Sequence, residues 1–288
     1  MLLALLAAAA IGFSPADADL AHRTAAAIVE RHTPRDPGTV RARNAALFIF
    51  DAVNATGPDA RIDRFESAVA SGGRRTFHNV ECDIVTDASQ PWVVLVSHYD
   101  TKPGVECPGA NDGASTSGLL VALASRIYDA RPRGLNFRFV WTDGEECIRS
   151  YAENDGLWGS RRAAARLADQ KLEVRAVLCL DMLGDTNLVV TIPHNGTDAL
   201  KPVVLAAARR TGLRDRVRLG RETVTDDHVP FLERGFPAID LIDFEYGGEP
   251  GRNDWWHSTS DTMDKVAKES LFVSGRLVMA IIAELGAL

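Results

Sequence analysis

The sequence lacks the basic patches with which nucleic-acid-binding proteins hold phosphates. Its 288 residues carry a formal net charge of −7, and no block of Lys and Arg is present. Basic pairs such as Arg161 and Arg162 are typical of an ordinary helix surface. Because an acidic surface repels a phosphate backbone, nucleic-acid binding is not expected.

Linkers and long apolar runs are absent as well. No Ser/Pro-rich linker or repeat divides the chain, and its composition of 46% hydrophobic and 25% charged residues suits one domain. The N-terminal run MLLALLAAAAIGF is shorter than the ~20 residues of a membrane span, so no permanent membrane anchor is predicted.

The same N-terminal run favours export. Small residues suitable for signal cleavage follow it in SPADAD, although the usual positive charge before the run is missing. The alternative is a buried or truncated N-terminal helix. We predict a possible signal segment over residues 1–18, a periplasmic or secreted protein, and a single domain over residues 19–288.

Cysteine is scarce, and its spacing excludes one kind of metal site. Cys82, Cys107, Cys147 and Cys179 form no C-x-x-C pair, which a structural zinc knuckle would require. In an exported protein the four thiols could form disulfides, and Cys107 could pair with Cys147.

Apolar periodicity predicts an α/β fold. Residues 20–54 indicate two helices, separated at Pro34 and Pro37. Short apolar runs at residues 92–96, 137–141, 176–180, 188–192 and 238–242 indicate strands, each separated by a segment long enough for a helix. We predict a three-layer sandwich with a mixed, mostly parallel central sheet flanked by helices. Such sheets bind ligands beyond the carboxyl ends of their strands.

The candidate catalytic residues follow these strands. Asp112 lies in the Gly-rich segment GANDGAS, Glu145 and Glu146 follow the second run, and His257 lies in WWHSTSD. Two carboxylates and an imidazole form a ligand set suited to catalytic zinc, with one coordination position open. The spare glutamate could then move protons. The simpler alternatives are a helix cap for Asp112, solvated glutamates and a packed histidine.

Other polar residues occupy similar positions. His98 and Asp100 follow the first run and could serve as a ligand and its hydrogen-bonding partner. Asp181 ends the third run, where a structural hydrogen bond is the alternative. Asp226 begins the cluster DDH, where capping of a short helix is the alternative.

Seven motifs together resemble those of the zinc exopeptidase clan, which contains the di-zinc aminopeptidases and the glutaminyl cyclases. They are, in order, SHYDTK, PGANDGASTSG, TDGEEC, LWGSR, LDMLGD, TDDHVPFL and WWHSTSD, and they lie within residues 92–275. Within the clan the chain looks most like the bacterial-type glutaminyl-peptide cyclotransferases. The resemblance implies the α/β sandwich, a bound zinc ion, and peptide or protein N-termini as substrates.

The resemblance also implies roles for individual residues. The zinc ligands would be Asp112, Glu146 and His257, and Glu145 would be the proton shuttle.

Around these, Asp181 and Asp226 would belong to a carboxylate hydrogen-bond network, and Trp256 would line the substrate pocket. Tyr151 stands where the cyclases carry a pocket Trp. The segment 243–255 is longer than its counterpart in the animal enzymes of the family. We cannot place in it an equivalent of the aromatic residue that the family uses there.

Two other functions remain open. A di-zinc aminopeptidase would use His98 and Asp181 as additional ligands for a second metal ion. The motifs LWGSR, TDDHVPFL and the Trp256–His257 step favour the cyclase, which has one zinc ion. A non-catalytic binding protein on the same scaffold is the third possibility, against which the retained Glu145 counts.

Overall fold

Seven α-helices and eight strands alternate along residues 12–287, the part of the chain that the computed structural model describes. The helices are α1 (Pro15–His32), α2 (Val40–Ala55), α3 (Thr116–Ala130), α4 (Trp158–Asp169), α5 (Lys201–Thr211), α6 (Val229–Glu233) and α7 (Lys268–Gly286). The strands are β1 (Ala60–Ala68), β2 (Arg74–Ile84), β3 (Trp92–His98), β4 (Asn136–Thr142), β5 (Val174–Asp181), β6 (Val190–Ile192), β7 (Val217–Leu219) and β8 (Ala238–Ile242).

All eight strands form one sheet in the order β1-β2-β4-β3-β5-β8-β6-β7. The four central strands β4, β3, β5 and β8 are parallel to one another. Antiparallel pairing joins β2 to β4 and β6 to β8. The sheet is therefore mixed with a parallel centre, as predicted, and the carboxyl ends of its central strands meet at one edge.

Helices cover both faces of the sheet. Along β3, Val93 and Leu95 belong to the larger core cluster, which also contains residues of α1, α2, α3, α5 and α7. Val94 and Val96 point to the opposite face and pack in a smaller cluster with residues of α4 and α6. Because successive strand residues alternate between faces, a continuous apolar strand supplies both cores. The predicted three-layer sandwich is confirmed.

The hairpin β1–β2 was not predicted from the sequence. Its strands mix charged with apolar residues, so they contain no continuous apolar run of the kind that marks the central strands. The charges are paired across the sheet surface, since Arg61 donates to Glu81 at 2.7 Å and Arg162 contacts Asp63 at 2.9 Å. The short strand β7, with two of its three residues exposed, was also missed.

The two N-terminal helices are confirmed, and the first begins earlier than residue 19. Ser14 caps α1, because its hydroxyl accepts the Asp17 N–H at 3.3 Å while the Asp17 carboxylate accepts the Ser14 N–H at 2.7 Å. Phe13 is buried, and a Cβ added to Gly275 would collide with its ring.

The predicted signal segment lies mostly outside the described residues, which begin at residue 12, and it stays a prediction. Among the helices of residues 12–287, none is long and apolar enough to cross a membrane.

Candidate metal centre

The candidate residues converge at the carboxyl edge of the parallel strands. His98 is the last residue of β3, Asp181 is the last residue of β5, and Glu145 and Glu146 follow β4 after a two-residue turn. Asp112 lies in the π-helical turn Ala110–Ser115 that leads into α3. This is the edge at which open parallel sheets bind ligands.

One group of ligand atoms consists of Asp112, Glu146 and His257, which lie within 4.8 Å of one another. Nε2 of His257 lies 2.7 Å from Oε1 of Glu146 and 3.4 Å from Oδ2 of Asp112. Burial alone would raise the pKa of Asp112, but hydrogen bonds with His257 and His98 hold it well below its usual value. Burial and the charge of Asp112 raise the pKa of Glu146.

A second group shares Asp112 with the first. Nε2 of His98 lies 3.0 Å from Oδ1 of Asp112 and 3.1 Å from Oδ1 of Asp181. Burial raises the pKa of Asp181 to about 8, although His98 opposes the rise. Asp112 therefore directs one oxygen towards each histidine.

Asp226 lies in a third group with Cys179 and Asp240. The Cys179 thiol donates to Oδ1 of Asp226 at 3.4 Å, and burial and the charge of Asp226 raise the pKa of the buried Asp240 carboxyl well above its usual value. Asp226 also lines the same cavity as Asp181, and its charge contributes to the raised pKa of Asp181. A catalytic hydrogen-bond network joining Asp181 and Asp226 remains a prediction.

Glu145 is enclosed beside the first group. Its side chain is 4% exposed, and its Oε1 accepts a hydrogen bond from the hydroxyl of Tyr151 at 2.9 Å. Burial raises the pKa of the Glu145 carboxyl well above its usual value, and the charge of Glu146 raises it further. A buried carboxyl group with a raised pKa is suited to exchanging protons with a bound substrate.

Asp100 contacts two parts of the site. Its carboxylate lies 3.6 Å from Nδ1 of His98, on the side where it was predicted to partner the imidazole, and that role stays a prediction. Asp100 also accepts the backbone N–H groups of Gly144, Glu145 and Glu146 at 2.9–3.1 Å. This buried carboxylate therefore fixes the turn that carries both glutamates.

A second carboxylate supports Asp112 in the same way. Asp261 accepts the N–H groups of Asn111 at 2.7 Å and Asp112 at 3.3 Å. Its Oδ1 also accepts a hydrogen bond from the hydroxyl of Tyr246 at 2.6 Å. Asp261 was assigned no role from the sequence, so this support for the Asp112 turn was not predicted.

Lys102 is another residue to which the sequence assigned no role. Its ammonium lies 3.3 Å from Oε2 of Glu146 and donates to the carbonyl oxygen of Cys147 at 2.9 Å. The available signal was its place in the motif SHYDTK, directly after a strand that ends at the site.

The glutamates and His257 open onto a cavity of about 590 Å³. Tyr151, Phe244 and Trp256 line it, together with the loop of residues 220–225. Tyr151 and Trp256 are each 37% exposed, so both contribute accessible aromatic surface at the cavity.

Phe244 is an aromatic residue of segment 243–255 that lines the cavity, and the sequence assigned it no role. Its ring meets that of Trp256 edge to face, with centroids 5.6 Å apart. It stands two residues after the end of β8, at the ligand-binding edge of the sheet.

The suggested Cys107–Cys147 disulfide is wrong for this structure, in which all four cysteines are free and buried. The two thiols have different partners. Sγ of Cys107 lies 3.9 Å from Oδ2 of Asp261, whereas Sγ of Cys147 lies 3.1 Å from the ammonium of Lys102.

The donor groups fit a zinc ion. Asp112 and Glu146 are like-charged carboxylates buried side by side, and a cation between them would offset their repulsion. Two carboxylates and an imidazole match the ligand types of catalytic zinc sites. Fold and site together define a metal-dependent enzyme of the zinc exopeptidase type.

The chain belongs to peptidase family M28, whose family model matches residues 79–282. It is 25% identical over 256 residues to the glutaminyl-peptide cyclotransferase of Drosophila melanogaster, covering 79% of this chain and 70% of the relative.

Solved structures agree with this assignment. The glutaminyl cyclase of an Acidobacteriales bacterium superposes with a TM-score of 0.87 at 29% identity over 96% of both chains. A leucine aminopeptidase precursor from Bacteroides thetaiotaomicron shares the fold, with a TM-score of 0.80 at 24% identity over 94% of this chain and 97% of that one. The predicted resemblance to the cyclase branch of the zinc exopeptidases is confirmed.

Proposed function

We propose that the protein is a zinc-dependent glutaminyl-peptide cyclotransferase, which converts the N-terminal glutamine of peptides to pyroglutamate and releases ammonia. The observation that carries the proposal is the position of Glu145. This buried carboxyl group lies beside the Asp112–Glu146–His257 group and faces an aromatic-walled cavity. The similarity to glutaminyl cyclases over nearly the whole chain supports the same reaction.

Asp112, Glu146 and His257 would hold one zinc ion. When bound, the zinc ion polarises the side-chain amide carbonyl of the substrate. All three residues line the cavity, whereas His98 of the second group does not. This difference supports one zinc ion at the substrate-facing group.

In this mechanism Glu145 transfers the proton. Its carboxylate takes a proton from the α-amine of the substrate, and the amine nitrogen attacks the side-chain amide carbon. The C–N bond to the side-chain nitrogen then breaks, and Glu145 returns the proton to the departing ammonia. The product is a five-membered lactam, and the first peptide bond remains intact.

Nucleophile and electrophile belong to the same residue, so the enzyme chiefly needs to hold the glutamine in a folded conformation. Intramolecular reactions gain most from such positioning. Trp256, Phe244 and Tyr151 form the walls that would hold it. Asp181 and Asp226, which also line the cavity, would accept hydrogen bonds from the amine and amide groups.

A di-zinc aminopeptidase is the second candidate, and one observation favours it. His98, Asp112 and Asp181 form a second ligand group that shares Asp112 with the first, as a two-metal site requires. In that enzyme Glu145 would activate a water molecule against the first peptide bond. Measuring ammonia released from Gln-peptides and amino acids released from Leu-peptides by the same sample separates the two functions.

Export is proposed on the N-terminal apolar run alone. Since Phe13 is buried and Ser14 caps α1, a mature protein with an intact first helix would begin at or before Phe13. N-terminal sequencing of the protein from separated cell fractions tests both the compartment and the cleavage position.

A further inference from the structure

Tyr151 makes two kinds of contact at the cavity wall. The residue lines the cavity and is 37% exposed. Its hydroxyl nevertheless donates a hydrogen bond at 2.9 Å to Oε1 of Glu145, whose side chain is only 4% exposed. A phenylalanine could supply the ring but not the hydrogen bond, so the hydroxyl needs its own explanation.

The loop that carries Tyr151 is built to hold this contact. The buried carboxylate of Asp155 accepts the backbone N–H groups of residues 148–150. Gly156 follows with a φ of +76°, and a Cβ there would lie 2.6 Å from the ring of Tyr151 and 3.0 Å from the carbonyl oxygen of Glu145. Only glycine allows the ring to pack this closely against the backbone.

The direction of the hydrogen bond follows from the chemistry of both groups. Burial raises the pKa of the Tyr151 phenol far above its usual value, and the charge of Glu145 raises it further. The phenol therefore keeps its proton and donates a hydrogen bond to Oε1 of Glu145. One oxygen of Glu145 is occupied, and the other is left for the substrate.

We propose that the hydroxyl of Tyr151 is a positioning group for Glu145, fixing the carboxylate so that Oε2 faces the substrate amine. This inference rests on the proposed function for the identity of the proton that Glu145 moves. A carboxylate without this bond could rotate about its last side-chain torsion, which is broad and weakly restrained. Proton transfer requires hydrogen-bond geometry, so free rotation would lower turnover more than substrate binding.

The test compares Tyr151→Phe with the wild-type enzyme, measuring kcat and KM for a Gln-peptide and the zinc content of both proteins. We expect kcat to fall about ten- to hundredfold, the loss of a hydrogen bond to a charged group, with KM within about twofold. Zinc content should be unchanged. Tyr128→Phe is the matched control, because it makes the same chemical change on α3, outside the cavity.

A double-mutant cycle then identifies the group through which the hydroxyl acts. In a Glu145→Gln background, Tyr151→Phe should change the residual rate by less than about twofold, because the charged acceptor is gone. An equal loss in both backgrounds would show that the hydroxyl acts elsewhere and would overturn the proposal. A Tyr151→Phe enzyme with wild-type kcat would overturn it as well.

Failure of the proposed function would give a different result from failure of the inference about the Tyr151 hydroxyl. A wild-type enzyme that trims Leu-peptides and releases no ammonia would contradict the cyclase. Glu145 is the proton-transfer group in both candidate reactions, so the same cycle measured on peptide trimming would still test the hydroxyl.

Discussion

Nε2 of His257 lies 2.7 Å from Oε1 of Glu146, although 111 positions separate the two residues in the chain. The contact joins the loop before α7 to the turn after β4, two regions that no local sequence pattern connects. Asp112 completes the group from a third segment, at 3.4 Å from the same nitrogen. A ligand set assembled from three distant segments couples metal binding to the stability of the fold.

Replacing His257 by Ala should therefore lower both zinc affinity and stability. The variant loses one of three ligands, so we expect substoichiometric zinc after dialysis and a rate at least about a hundredfold lower. Zinc should also raise the unfolding temperature of the wild type more than that of the variant. Metal analysis and thermal unfolding check this, with His22→Ala on α1 as the matched control. Full zinc content in the His257 variant would contradict the ligand assignment.

Glu145→Gln should separate catalysis from metal binding. The amide preserves the size of the side chain and removes its basicity, so we expect wild-type zinc content with a loss of about 10²-fold or more in kcat. Glu146→Gln should instead lose zinc. If the Glu145→Gln protein lost zinc and the Glu146→Gln protein kept it, the two roles would have to be exchanged. Glu30→Gln on the exposed surface of α1 is the control.

Removing Phe244 should weaken substrate binding more than chemistry. Its ring contacts Trp256 and lines the cavity, but it supplies neither a ligand atom nor a proton-transfer group. Loss of an aromatic wall costs about 1–2 kcal/mol, so Phe244→Ala should raise KM by roughly tenfold. Steady-state kinetics with zinc content in parallel measures this. An unchanged KM would place the substrate on another part of the cavity.

Asp243 gives the stability a predictable pH dependence. Burial raises the pKa of its carboxyl to about 7, although backbone N–H groups of Val189 and Glu245 oppose the rise. Between the ordinary value of 3.8 and about 7, the folded state binds more protons than the unfolded state. Stability contributed by this group therefore falls as pH rises through that window, by at most about 1.4 kcal/mol per pH unit.

Asp243→Asn removes this titration. Urea unfolding of both proteins between pH 4 and pH 7 should show the wild type losing stability relative to the variant as pH rises. Parallel stability curves would contradict the raised pKa.

The central sheet and the strand-end residues of the candidate site were accessible from the sequence for the same reason. Continuous apolar runs mark β3, β4, β5 and β8, and polar residues that directly follow such runs lie at the ligand-binding edge. The hairpin β1–β2 was not accessible, because its charged residues form pairs only after the strands and α4 come together.

The supporting groups of the site were less predictable. Asp100 is only two residues from His98 in the sequence, which suggested that it orients the imidazole. In the structure it lies 3.6 Å from the imidazole and also holds the turn of Glu145 and Glu146, a contact between two strand ends that local sequence does not specify. Phe244 lines the cavity from a loop whose path the sequence does not specify, and the hydrogen bond from Tyr151 to Glu145 depends on the fold of residues 148–156.

The most direct test of the proposed function is the fate of the side-chain nitrogen of an N-terminal glutamine. A peptide carrying an isotopic nitrogen label in that amide is incubated with zinc-loaded enzyme, and the products are analysed by mass spectrometry. The cyclase mechanism predicts labelled ammonia and a pyroglutamyl peptide of full length that retains its α-nitrogen. Release of free labelled glutamine with a peptide one residue shorter would contradict it and favour the aminopeptidase instead.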